Sequence, residues 1–137
     1  MLLPEFYVDD VIKRALSEDI NYIDLATDLL IPEGEISTAE FVSKAEGVLA
    51  GIDCALRTFT FIDSGVKCEV FIHDGEKVKK GDIIARVQGK TRSILKAERT
   101  SLNILQHMSG VATATNKLVE ACAGTKASIV DTRKTLP

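Results

Sequence analysis

The sequence predicts an α+β fold, and three patterns in it do the predicting. Near the start, Val8, Val11, Ile12, Ala15 and Leu16 recur at helical spacing, with Asp9 and Asp10 in the first turn, where the helix dipole favours carboxylates. In the middle, short apolar runs are punctuated by glycine- and aspartate-rich turns. From Ser93 to Gly124, Leu95, Leu102, Leu105, Met108, Val111, Leu118 and Cys122 form an apolar stripe on long helical sequence.

The elements follow in order. Ser17 to Asp24 is polar and irregular, a loop carrying several carboxylates. Pro32-Glu33-Gly34-Glu35 is a turn leading into a strand from Ile36 to Val42. Gly47-Val48-Leu49-Ala50-Gly51 is a short buried strand bounded by glycines. Ile52, Ala55, Leu56, Phe59 and Ile62 fit a short helix that ends at Asp63-Ser64-Gly65. Val66, Cys68, Val70 and Ile72 alternate with Lys67 and Glu69, as a half-buried strand requires. After the turn His73-Asp74-Gly75, another strand runs from Ile83 to Val87 and closes at Gly89.

Ser93 is the expected N-cap of the long helical segment and Gly124 its C′ residue. Its many Ala, Ser, Thr and Gly residues suit close approach by other helices. At twice the usual helix length, it is expected to break near Ser109-Gly110. The β-branched run Ser128-Ile129-Val130 is expected to be a buried strand opening a second unit. A boundary near Gly124-Thr125 thus gives domains 1–124 and 125–137.

Composition sets the bounds. The chain has 137 residues, 45% hydrophobic and 27% charged, enough for one globular core. A net charge of −3 and the absence of Trp argue against nucleic acid as a partner. No apolar run approaches the roughly 20 residues needed to span a bilayer, and the first ten residues lack the basic start and apolar core of a signal peptide. Cys54, Cys68 and Cys122 are odd in number and widely spaced, which favours reduced, packed thiols and a cytoplasmic location.

Candidate chemistry concentrates in basic residues. Arg133 and Lys134, with Thr132 beside them, follow the expected last strand. Guanidinium and ammonium together can clamp carboxylate or phosphate oxygens, and ligands in α/β folds bind at the C-terminal ends of strands. A solvated basic pair is the plain alternative. Arg99 is the second candidate, with Asn103 and His107 following at i+4 spacing; here the alternative is an exposed polar stripe.

The turns around Asp74 to Asp82 resemble hairpins of biotinyl and lipoyl carrier domains. Lys77, Lys79 and Lys80, however, lack the flanking residues such a modified lysine needs, so two tight turns around strands is the stronger account. No phosphate-binding loop, dinucleotide fingerprint or metal-ligand cluster is present, and Asp19, Asp24 and Asp28 lack calcium-loop spacing.

Several segments together carry a family resemblance. They are Ala15-Leu16-Ser17-Glu18-Asp19, Glu46 to Gly51, Gly75 to Gly81, Glu98-Arg99-Thr100-Ser101-Leu102-Asn103-Ile104-Leu105-Gln106, Met108 to Thr113, Gly124-Thr125-Lys126 and Asp131-Thr132-Arg133-Lys134-Thr135. In these the chain resembles, nearly end to end, the N-terminal half of quinolinate phosphoribosyltransferases. Two departures are Ile23 to Thr27, in place of the more usual Gly-Asp-x-Thr, and Leu136 where Thr is common.

The resemblance implies an open-faced α/β sandwich followed by the truncated first strand of an α/β barrel, beginning near Ile129. It implies phosphoribosyl transfer from phosphoribosyl pyrophosphate (PRPP) to quinolinate, with Mg2+, giving nicotinate mononucleotide, carbon dioxide and pyrophosphate. It further implies that Thr132, Arg133 and Lys134 bind substrate in their own barrel while Arg99 reaches a neighbouring subunit's site, so that a dimer, or a hexamer of dimers, is the working unit. The family's acidic catalytic residues lie beyond Pro137, and the isolated chain is expected to be inactive. A same-fold paralogue associated with molybdenum uptake, a carrier or assembly module, and simple dimerisation through exposed helix surface are the other possibilities.

Overall fold

The computed structural model describes residues 4–20, 23–132 and 134. In chain order the elements are α1 (Glu5–Asp19), α2 (Leu25–Leu30), β1 (Ile36–Val42), β2 (Gly47–Val48), α3 (Ile52–Ile62), β3 (Lys67–Val70), β4 (Lys77–Val78), β5 (Ile83–Lys90) and α4 (Thr91–Ala121). The α+β expectation holds.

Alternating side chains give the sheet one dry and one wet face. A three-stranded antiparallel sheet runs in the order β1-β5-β3. Ala39 pairs with Val87 and Phe41 with Ala85, and Phe41, Ala85 and Val87 are all buried. The residues between them face the other way. There Arg86 lies opposite both Glu40 and Glu69, bonding them at 2.9 and 3.4 Å, with its guanidinium 5.3 Å from the centre of the Phe71 ring. That charged face is left to water, which makes the sandwich open-faced.

The inner face is covered by α3 and α4. Phe59 fills the centre and meets Phe41 edge-on, with ring centroids 5.8 Å apart. Ala55 and Ala97 are fully buried, and the Ser101 hydroxyl donates to the Ala55 carbonyl at 2.8 Å where the two helices meet. A second apolar cluster seats α1: Val8, Ile12 and Leu16 pack against Ile20, Cys54, Ile62 and Ile104. Arg57 adds a two-pronged bond from α3, Nε and Nη2 reaching Asp9 at 2.8 and 2.9 Å.

Several expectations are corrected. α1 continues to Asp19, through residues expected to be loop. α2 was not foreseen at all; distant contacts make it. Asp24 accepts from the Thr27 N–H at 3.2 Å as its N-cap, Lys96 Nζ meets Asp28 at 2.6 Å, and Arg92 Nε donates to the Ile31 carbonyl at 2.8 Å. β2 is only two residues long and pairs with β4.

α4 runs unbroken for 31 residues, past Ser109-Gly110. It starts ahead of Ser93, which is no N-cap but a buried residue of the first turn, donating to Asp63 Oδ2 at 2.9 Å. Cys122 is its C-cap, and Gly124 follows in the left-handed region at φ 81°. What comes close to its second half is a strand and not a helix. Val48 N–H donates to Thr113 Oγ1 at 2.9 Å, and Ala50 N–H to Ser109 Oγ at 3.1 Å.

The expected apolar stripe is only partly buried. Ile94, Ala97, Ser101 and Leu105 face the core, whereas Leu95, Met108, Val111 and Leu118 are exposed. Cys68 is exposed on its edge strand, against the expectation of a packed thiol. Ser128-Ile129-Val130 is exposed and forms no strand, because none of the described strands lies alongside to pair with it.

Candidate functional site

The cavity that contains Arg99 is built where three helices converge. α1 ends at Asp19 one turn beyond Leu16, whose burial fixes where that end lies. α2 is held to α4 by the Lys96–Asp28 and Arg92–Ile31 bonds, which brings Ile23, Asp24 and Leu25 against α4 as a wall. Leu95, Lys96, Glu98, Arg99, Leu102, Asn103 and Gln106 of α4 supply the rest, around about 480 Å³.

Arg99 and Lys96 are the cations of the cavity, set among the carboxylates of Asp19, Asp24 and Glu98. Arg99 Nη1 donates to Asp19 Oδ1 at 2.6 Å; the Arg99 side chain is 74% exposed and that of Asp19 only 21%. The hydrogen bond to Asp19 and its charge, with Asp24 and Glu98 further off, hold the guanidinium pKa above its ordinary value. Asp24 is shifted the other way: bonding to the Thr27 hydroxyl and N–H keeps its carboxyl below the usual carboxylate range.

A guanidinium has five N–H donors, so one short bond to Asp19 leaves most of the fork free for a carboxylate or phosphate. Asn103 and Gln106 add amides, and Ile20, Leu25, Leu95 and Leu102 an apolar floor. Asn103 therefore shares the cavity as its spacing suggests, whereas exposed His107 does not line it. The arrangement can orient a flat anion.

Thr132 and Lys134 are exposed and lie outside that cavity, the Lys134 N–H donating to Thr132 Oγ1 at 3.4 Å. Arg133 lies outside the described residues. Among the described residues, Thr132 and Lys134 are thus not brought to the Arg99 cavity. Sequence reasoning missed the roles of Lys96, Asp28 and Asp19. The available signal was the run Arg92, Lys96, Arg99, which puts three cations on one side of a helix facing a carboxylate-rich segment.

The donor set does not fit a divalent metal. Among the described residues no group of three His, Cys, Asp or Glu side chains could hold one, and Asp19, Asp24 and Asp28 are already engaged by Arg99, the Thr27 N–H and Lys96. Of the hairpin lysines, Lys77 is tied to Glu120 at 2.8 Å, and its strand β4 pairs with β2. Among the described residues no helix is long and apolar enough to cross a membrane.

Comparison with known proteins agrees with this architecture. Residues 24–109 match the family described as quinolinate phosphoribosyl transferase, N-terminal domain. The nicotinate-nucleotide pyrophosphorylase [carboxylating] of Mycobacterium leprae is 44% identical over 131 residues, covering 93% of this chain and 46% of that protein. A tobacco quinolinate phosphoribosyltransferase [decarboxylating], form 1b, is 43% identical, covering 98% and 38%. The crystal structure of NadC from Streptococcus pyogenes superposes with a TM-score of 0.95 at 36% identity, covering all of this chain and 49% of that one. The chain spans about half the length of these relatives or less.

Proposed function

The chain belongs to the quinolinate phosphoribosyl transferase family, as its N-terminal domain, and from that premise we propose that a full-length protein carrying it transfers the phosphoribosyl group of PRPP to quinolinate. Carbon dioxide and pyrophosphate are lost and nicotinate mononucleotide is formed, for NAD synthesis. Residues 1–124 form the sandwich with its long helix, and 125–137 begin the barrel.

The observation that carries this proposal is the exposure of Arg99: a guanidinium 74% exposed at a cavity mouth, tethered on one side and open on the other. Thr132, Arg133 and Lys134 serve the barrel of their own chain, and Arg99 enters a neighbouring subunit's site, in a homodimer or a hexamer of dimers. Among the described residues, Thr132 and Lys134 lie outside the cavity that Arg99 lines, which supports a site shared between subunits.

Quinolinate carries two carboxylates and PRPP is strongly anionic. Each charge-assisted bond contributes about 1.5–3 kcal/mol, so a few cations from two chains can orient both substrates. As pyrophosphate leaves, positive charge develops at the anomeric carbon, and these residues hold the anions in line with it. Mg2+ would travel with PRPP, its protein contacts outside this chain. The free thiols of Cys54, Cys68 and Cys122 favour a cytoplasmic setting.

Kinetics of the full-length protein test the proposal. Arg99→Ala and Arg133→Ala should each lower kcat/KM by about 10²–10³-fold, equivalent to about 2.7–4 kcal/mol. Verified mixed oligomers of the two variants should regain activity, since one site in each mixed dimer is intact. Unchanged kinetics in Arg99→Ala, or no recovery on mixing, would overturn it. The 137-residue chain alone should make no nicotinate mononucleotide.

A further inference from the structure

Asp19 sits in the last turn of α1, where free helix carbonyls make a carboxylate unfavourable unless a cation answers it. Arg99 supplies that cation at 2.6 Å. The two partners are unequally fixed. Asp19 is largely covered, and its helix is seated by Ile12, Leu16 and Ile20 against Ile104 and by Arg57 gripping Asp9. Arg99 is long, mostly exposed and rich in rotamers, so the rigid partner sets the mobile one.

We propose that Asp19 is a positioning residue for substrate binding: it holds the Arg99 guanidinium in one orientation, so that the remaining N–H groups meet a carboxylate of the incoming acid. This deepens the assignment of Arg99 as a substrate-binding residue and rests on it. A side chain ordered before binding need not lose its rotamer freedom when substrate arrives. Asp19 also cancels part of the positive charge that would attract an anion. At a site this exposed water already screens that charge, so orientation outweighs the loss.

The test uses the full-length protein, with KM for quinolinate, KM for PRPP and kcat measured separately in Asp19→Asn, Asp19→Glu, Arg99→Ala and the double variant Asp19→Asn with Arg99→Ala. Asp19→Asn, which keeps shape and removes charge, should raise the quinolinate KM by about 3–10-fold and leave the PRPP KM unchanged. Asp19→Glu should fall between it and the unaltered protein, and the double variant should match Arg99→Ala alone.

If Arg99→Ala alters neither kcat nor the quinolinate KM, the functional assignment fails and this proposal with it; if it lowers kcat alone, this proposal is refuted and the assignment stands. If Arg99→Ala raises that KM while Asp19→Asn leaves it the same or lowers it, positioning alone is refuted and the assignment stands. An Asp19→Asn effect that persists in full beside Arg99→Ala marks a merely structural role and also refutes it. Should Asp19→Asn not fold, Asp19→Glu with and without Arg99→Ala completes the same comparison.

Discussion

Removing two hydroxyls should detach a strand from a helix. Thr113 Oγ1 accepts from the Val48 N–H at 2.9 Å and can donate back to the Val48 carbonyl at 3.4 Å; Ser109 Oγ does the same for Ala50, at 3.1 and 3.2 Å. The helix thereby presents, one turn apart, what a neighbouring strand would present to β2. Gly47 lets the backbones come this near, since a Cβ there would stand 2.5 Å from Thr113 Oγ1.

Thr113→Val keeps the branched shape and strips the hydroxyl, leaving half-buried backbone groups unpaired. A fully buried loss of this kind costs about 1–3 kcal/mol, and partial access to water places this one at about 1–2. Ser109→Ala loses as much but regains about 0.5 kcal/mol of helix propensity, for a net cost of about 0.5–1.5. Urea unfolding of the chain measures both, with an unchanged m-value as the sign that only the native state was altered. Thr115→Val, an exposed change on the same helix, is the control for propensity. If Thr113→Val costs no more than Thr115→Val, the hydroxyls do not hold β2.

Two further outcomes follow from the packing and the charges. Ile12→Ala empties a fully buried site between α1 and its neighbours and should cost about 2–5 kcal/mol by the same unfolding measurement, with α1 exchanging its amide protons earliest. Asp9, Asp24 and Asp63 are each held below the ordinary carboxyl value of 3.8, by Arg57, by Thr27, and by the Gly65 N–H with Ser93, respectively. The unfolded chain therefore takes up protons first as pH falls. Their contribution to stability should be complete above 3.8 and drain away below it, and Asp63→Asn should flatten that acid limb in a pH series of thermal midpoints.

What the sequence made legible was whatever a short window determines. The strand at Ile36–Val42 and the helix at Ile52–Ile62 stand where period and turn residues put them, because each has one face against the same core. Arg99 stood out for the same reason, as a cation on a helix with polar neighbours one turn on. α2 was illegible because its cap is local but its clamps, Arg92 and Lys96, come from more than sixty residues away. The continuity of α4 escapes a reading by length: a segment twice the usual is expected to break near Ser109-Gly110, while Ser109 and Thr113 are the groups through which the unbroken helix bonds the backbone of Ala50 and Val48.

Ser128-Ile129-Val130 carries the opposite lesson. β-branched residues fit a pleated surface only when neighbours supply one, and Val130 is 78% exposed here with no described strand beside it. The same holds for the candidate site. Arg99 on its helix and Thr132 with Lys134 beyond α4 are each plain as cations or hydroxyls in the sequence, yet the cavity that Arg99 lines contains neither Thr132 nor Lys134. A pattern within a single polypeptide encodes which groups can bind an anion. It cannot encode which groups bind the same anion, because that depends on surfaces meeting in space, and the mixing of Arg99→Ala with Arg133→Ala subunits measures that meeting directly.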